Sequence, residues 1–150
     1  MKWDYEFDVV VVGSGNGALT SAICSHDGGA KTLVIEKSNQ YGGTSATSGG
    51  GVWIPNNRYA KAVNVDDSDQ DARDYINSVS PEGMIKDELI ETYISEGPKM
   101  IDYLHENSQV KYRNLSHYPD YFPDNPGGKE GNRSMEPEPI NGTILGTDLG

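Results

Sequence analysis

The chain has 150 residues and a mass of 16.3 kDa, the size of one domain rather than two with separate cores. Twelve Lys and Arg against 23 Asp and Glu give a formal charge of −11, a sign that repels nucleic-acid phosphates and anionic lipid. No apolar run approaches the ~18 residues of a membrane span, and one cysteine, Cys24, can form neither an intrachain disulfide nor a cysteine-based metal cluster, so a cytoplasmic protein without a transmembrane segment is expected.

Phe7 to Val12 is an almost uninterrupted β-branched run ended by Gly13, which predicts a buried strand. Ala18, Leu19, Ala22 and Ile23 then fall at helical spacing between Asn16 and His26, with Gly28-Gly29 as the stop. Cys24 reads as a small core residue of that helix. Thr32 to Ile35 is a second β-branched run, ending in Glu36. Strand, helix and parallel strand within residues 6–36 make one βαβ unit.

Residues 41–57 begin with a segment so rich in glycine and hydroxyls that it predicts a shaped loop rather than a helix or strand. Across 66–107 the period turns helical. Ala72, Tyr75, Ile76 and Val79 form one apolar stripe, and Leu89, Ile90, Tyr93 and Ile94 form another. Gly97-Pro98 is expected to break the pattern and restart a third, shorter helix through Met100, Ile101 and Leu104. The acids Asp66, Asp67, Asp69, Asp71 and Asp74 read as charges favoured by a helix N-terminus rather than as a metal site. From 113 to 150, Pro119, Pro123, Pro126, Pro137 and Pro139 interrupt every period, predicting an irregular Pro- and Tyr-rich segment that needs a larger scaffold. The expected class is therefore α/β, a Rossmann-type dinucleotide fold followed by helices. Two strands leave sheet edges and faces uncovered, so an incomplete domain, the N-terminal part of a longer protein, is expected.

The first strand runs into Gly13-Ser14-Gly15-Asn16-Gly17-Ala18, the G-x-G-x-x-A form of the dinucleotide fingerprint. Gly13 allows the sharp turn, Gly15 lacks the Cβ that would keep a pyrophosphate off the backbone, and Ala18 lets helix and strand approach. The helix N-terminus offers its unpaired N–H groups to the phosphates. Glu36, 23 residues after Gly13, can accept hydrogen bonds from the adenosine ribose and disfavours the 2′-phosphate of NADP. The second glycine-rich stretch favours FAD over NAD. Gly42, Gly43, Thr44, Ser45, Ser48, Gly49, Gly50 and Gly51 supply hydroxyls and bare amides suited to a diphosphate, a ribityl chain and a flavin edge.

Phe7–Ala18, Glu36-Lys37 and Gly42–Asn57, the last ending in Gly51-Val52-Trp53-Ile54-Pro55-Asn56-Asn57, together resemble the FAD-binding N-terminus of the fumarate reductase and succinate dehydrogenase flavoproteins. Within that superfamily the chain resembles the 3-ketosteroid Δ1-dehydrogenases. A second block carries the same resemblance: His117-Tyr118-Pro119-Asp120-Tyr121-Phe122-Pro123-Asp124-Asn125-Pro126-Gly127-Gly128, then Gly131-Asn132-Arg133 and Glu136-Pro137. The resemblance implies an FAD cofactor and Lys37 beside Glu36 at the nucleotide. It also implies a ketone substrate of steroid type, a separate electron acceptor, and α,β-desaturation in which a tyrosinate takes a proton and a hydride passes to flavin N5. Tyr121, and after it Tyr118, would assist the base, which itself lies among residues this chain does not contain. Another flavin oxidoreductase of the superfamily, or a flavin-binding piece inactive by itself, stands as the alternative.

Overall fold

The β-branched runs pair as parallel strands, β1 (Val9–Val12) and β2 (Thr32–Ile35), with Val9 opposite Thr32 and Val12 opposite Ile35. The computed structural model describes residues 4–143 and 146 and divides into two units, Met1–Gly49 and Gly50–Gly150, each taken here by itself. In the first unit helix α1 (Asn16–Asp27) crosses between the strands and packs on both, with Ala22 buried. A 3₁₀ helix, Gly43–Thr47, follows β2.

The expectation of a fully buried first strand is not met. Exposure alternates along β1, and Val10 and Val12 are 51% and 78% exposed, because among the described residues of this unit only α1 packs on the two-stranded sheet. Ile23 is likewise 58% exposed. Cys24 is exposed instead of lying in the core, since two residues on from the buried Ala22 it stands about 200° round the helix, near the opposite face.

The second unit is built on a three-stranded antiparallel sheet, order β3 (Val52–Trp53), β5 (Ser134–Pro137), β4 (Tyr112–Asn114). Trp53 faces Ser134, and Arg113 faces Glu136 with an ion pair across the strands. Two strands thus occupy the stretch expected to be irregular. Proline is tolerated because Pro137 ends the central strand instead of interrupting it. Residues 41–57 also hold regular structure, the 3₁₀ turn and β3, where a loop alone is expected.

Three helices complete this unit: α2 (Arg58–Ala62), α3 (Asp69–Val79) and α4 (Asp87–Asn107). Ser68 caps α3 by accepting from the Asp71 N–H and donating to the Asp71 carboxylate, a reciprocal cap that explains one of the clustered acids. The expected break at Gly97-Pro98 is absent, and α4 runs unbroken through Pro98. Proline withdraws one donor from the ladder. The glycine before it lies close against Ile54, where an added Cβ would stand 3.3 Å from Ile54 Cδ1. Ile54, Ile101 and Met135 form one core cluster, with Val52, Tyr59 and Tyr112 around it. Ala72, Ile90 and Ile94 form another with Ile76. Both apolar stripes read from the sequence thus contribute residues to the core.

Candidate functional site

In the first unit the chain leaves β1 at Gly13 with φ +95°, a left-handed conformation that glycine adopts without steric cost. It enters α1 through Gly15, an extended N-cap residue with no side chain to cap the helix. Among the described residues no acceptor within the chain meets the N–H of Gly17 or Ala18, the groups a helix start leaves for an anion. A cleft of about 470 Å³ opens here, lined by Val12, Gly13, Ser14, Gly15, Ile35, Glu36, Lys37 and Gly43. That volume falls within the range of ligand sites.

Ser14 is the knot of this cleft. Its buried hydroxyl donates to Glu36 Oε2 at 2.5 Å and accepts from the Gly42 N–H at 2.9 Å. Glu36 Oε1 accepts from the Ser38 N–H at 3.0 Å. The Ser14 hydroxyl foremost, then the Ser38 amide, hold the Glu36 carboxyl below its ordinary pKa, against a smaller opposing effect of desolvation. The acid is ionised at neutral pH, as a carboxylate that accepts from ribose hydroxyls must be, and its remaining lone pairs are open to them.

The second glycine-rich stretch lies against the first. Ser45 Oγ accepts from the Asn16 N–H at 3.0 Å, and a Cβ on Gly43 would approach Gly15 Cα at 3.7 Å. Gly42, at φ +102°, has no room for a side chain beside Ala46. Of the residues singled out in the sequence, Gly13, Ser14, Gly15, Glu36, Lys37 and Gly43 line the cleft, and Gly17 and Ala18 form the first turn of α1. Ser45 clamps the loop to the start of α1 with a hydroxyl expected to face the ligand. Thr44, Ser48 and Gly49 belong to the 3₁₀ turn and its exit without lining the cleft. Gly50 falls in the second unit, where at φ +73° a Cβ would press on Pro137 at 3.1 Å. Its glycine has a packing cause there.

The second unit carries a largely apolar cleft of about 430 Å³, walled by Trp53, Tyr75, Ile76, Val79, Tyr118, Pro119, Tyr121 and Phe122, with Asp120 and Ser134 as its polar members. Tyr118 is 47% and Tyr121 82% exposed. A hydrogen bond with Tyr121 foremost, then the electrostatic influence of that neighbouring side chain, holds the Tyr118 hydroxyl above the ordinary phenol range. Tyr118 therefore keeps its proton.

Beneath the cleft lies an ion cluster that local spacing does not reveal. Arg133 is 1% exposed. It donates through Nε and Nη2 to Asp67 at 3.1 and 2.6 Å, and through Nη1 to Asp120 at 2.8 Å. Its guanidinium stacks 5.3 Å from the Trp53 ring and 5.7 Å from that of Tyr75. Burial alone would lower the arginine pKa, but the two carboxylates outweigh it and the guanidinium stays charged. Asp67, read in the sequence as one of several acids favoured by a helix N-terminus, is thus a buried counter-ion of Arg133. Asn57, fully buried, accepts from the N–H groups of Tyr59 and Ala60 and donates to the carbonyls of Ile54 and Asn132. No group of three or more His, Cys, Asp or Glu among the described residues could hold a metal.

A βαβ unit with a bare-backbone first turn at a helix start and an ionised carboxylate closing its second strand defines a dinucleotide-binding domain. The chain belongs to the FAD binding domain family, which it matches over residues 8–149, and its cofactor is FAD. It is 42% identical to the 3-oxosteroid 1-dehydrogenase of Mycobacterium tuberculosis over 96% of this chain and 25% of that protein. It is 39% identical to the 4-oxocyclohexanecarboxylate 2-dehydrogenase of Sinomonas cyclohexanicum, over 95% and 25%. Its structure is similar to the crystal structure of 3-ketosteroid Δ1-dehydrogenase from Sterolibacterium denitrificans in complex with 1,4-androstadiene-3,17-dione, with a TM-score of 0.87, 40% identity, and coverage of 95% of this chain and 25% of that one. The chain thus spans about a quarter of the length of the relatives it matches.

Proposed function

We propose that the protein carrying this chain is an FAD-dependent dehydrogenase that introduces a C=C bond beside a ketone, with a 3-ketosteroid as substrate. The observation that carries the reading is the pair Tyr118 and Tyr121 on the wall of an apolar cleft of about 430 Å³, in a fold similar to that of an enzyme crystallised with a steroid dione. Apolar walls suit a fused-ring hydrocarbon, and phenol hydroxyls suit the one proton the reaction must move.

In this reading the amides at Gly13–Ala18, with Gly43–Ser45 and the exit through Ser48, Gly49 and Gly50, hold the diphosphate side of FAD. Glu36 accepts from its ribose, and Lys37 offsets phosphate charge. Bound FAD supplies the hydride acceptor. Tyr121, sharing a hydrogen bond with a Tyr118 that stays protonated, assists removal of the proton from the carbon next to the carbonyl. The base, the rest of the substrate site and the contact with the electron acceptor come from other parts of the protein. The 39% identity to a cyclohexanecarboxylate enzyme supports a second substrate, a single-ring ketone that would fill less of the same cleft. Among the described residues no helix is long and apolar enough to cross a membrane, and we place the protein in the cytoplasm.

The test is anaerobic addition of a 3-ketosteroid saturated at the reacting carbons to the full-length yellow protein. Loss of the oxidised flavin band with steroid, and its retention with succinate, is the expected result. Bleaching by 4-oxocyclohexanecarboxylate but not by steroid would move the substrate to the second reading. Bleaching by succinate alone would overturn both.

A further inference from the structure

Asp120 sits between the two exposed tyrosines in sequence and lines the same cleft, but as a buried residue. It is 4% exposed where Tyr118 is 47% and Tyr121 82%. Both of its carboxylate oxygens and its backbone N–H are engaged within the second unit. Oδ1 accepts from the Trp53 indole N–H at 2.6 Å, and Oδ2 from Arg133 Nη1 at 2.8 Å and from the Lys129 N–H at 3.0 Å. Its own N–H donates to the Lys129 carbonyl at 2.9 Å. Arg133 cannot swing away, because Asp67 holds its other edge from two sides. On the far side of Tyr121, the Phe122 N–H donates to the Tyr75 hydroxyl at 3.3 Å. The turn that bears the tyrosines is therefore pinned on one side of Tyr121 by Asp120, bonded to Trp53, Arg133 and Lys129, and on the other by the bond from Phe122 to Tyr75.

We propose that Asp120 is a positioning residue for the tyrosine pair: its carboxylate, held between Trp53 and Arg133, sets the backbone from which Tyr118 and Tyr121 reach the cleft. The inference rests on the desaturase reading given above. An exposed tyrosine has two free side-chain torsions, so the backbone is the part of its placement that the protein can set in advance. Misplacement by about 1 Å is enough to cost on the order of 100-fold in rate. Replacing Asp120 by Asn keeps the shape but presents an amide NH₂ to donors on Arg133, Trp53 or Lys129, so the turn must shift. Trp53→Phe keeps the stack on Arg133 and deletes one donor, a milder change that leaves the ion cluster whole.

The experiment is a double-mutant cycle in the full-length holoenzyme, pairing Asp120→Asn, and separately Trp53→Phe, with Tyr121→Phe. For each variant kcat, KM, flavin content and the kinetic isotope effect are measured with substrate deuterated at the carbon that loses the proton. We expect Asp120→Asn to lower kcat about 10- to 100-fold with flavin content unchanged and a larger isotope effect. In the Tyr121→Phe background it should cost less than about threefold. Trp53→Phe should follow the same pattern at smaller size. A purely structural role would lower the active fraction without altering the isotope effect, and its losses would add to those of Tyr121→Phe; that result overturns the inference and leaves the desaturase reading intact. A wild-type protein that turns over no ketone overturns the reading and the inference with it.

Discussion

The two units reach order by opposite means. In the first, binding capacity comes largely from backbone freed of side chains: Gly13 at φ +95°, a helix start at Gly15 without a capping side chain, and a cleft in which three glycines stand beside Ser14, Glu36 and Lys37. In the second, the scaffold under the cleft depends on side chains distant in sequence, with Arg133 reaching Asp67 and Asp120, and Asn57 reaching Asn132. A site made of main chain is specified by a short string at fixed spacing. A site supported by buried charge is specified by pairings that no local string contains.

The sharpest way to break this contrast is to remove the arginine. Arg133→Met leaves Asp67 and Asp120, each 2% exposed at the side chain, without a counter-ion, and removing one partner of a buried pair costs about 3–5 kcal/mol. Denaturant unfolding of the full-length protein should show that loss. Flavin content measured under conditions where the variant stays folded should be retained, because the nucleotide cleft draws on none of these residues.

Next in size is Gly131→Ala. A Cβ there would overlap the carbonyl oxygen of Ser116, a backbone atom that cannot rotate aside, and overpacking of this kind costs about 1–3 kcal/mol. Gly17→Ala is its counterpart in the first unit, where a Cβ meets nothing within 4 Å. Its effect on unfolding should be small, and any loss should appear as weaker FAD retention on dialysis. If Gly17→Ala instead destabilised the fold as much as Gly131→Ala, glycine would be serving the same purpose in both units and the contrast would fail.

What could be read from residue order follows the same division. The βαβ unit was legible because β-branched runs, a small-residue helix and glycine punctuation each report on their own neighbours. The continuity of α4 through Pro98 was not, because a Gly-Pro pair reads locally as a break while the helix is held by packing on other elements, Ile94 and Ile101 on either side of the proline each lying in the core. Nor were the strands β4 and β5, whose pairing is non-local. Trp53-Ile54-Pro55-Asn56-Asn57, a string that stood out for its resemblance, contributes Trp53 to the cleft wall and otherwise serves as scaffold. Trp53 stacks on Arg133, Ile54 fills the core, Asn56 takes a left-handed turn at φ +52°, and Asn57 caps α2. The aspartate between Tyr118 and Tyr121 was visible as a letter, but its burial was not.

The smallest expected effect is a shift in pH dependence, and it isolates one hydroxyl. Glu36 has a folded-state pKa below its ordinary value, so whatever its ionised form contributes is present above the unfolded pKa, about 4.3 for a free glutamate, and is lost as pH falls through the lower folded value. Ser14 is the foremost cause of that depression. Ser14→Ala removes it, moving the folded value back towards the ordinary one while the Ser38 amide still accounts for part of the shift. FAD release on acidification should therefore begin at a higher pH in Ser14→Ala than in the wild type, with little difference at pH 7, where the carboxyl is ionised in both. Release followed by flavin fluorescence over the acid range checks this directly. An unchanged acid profile with lowered affinity at every pH would mean that Ser14 acts only by holding Gly42, through the N–H at 2.9 Å, and that the carboxylate contributes nothing to retention of the cofactor.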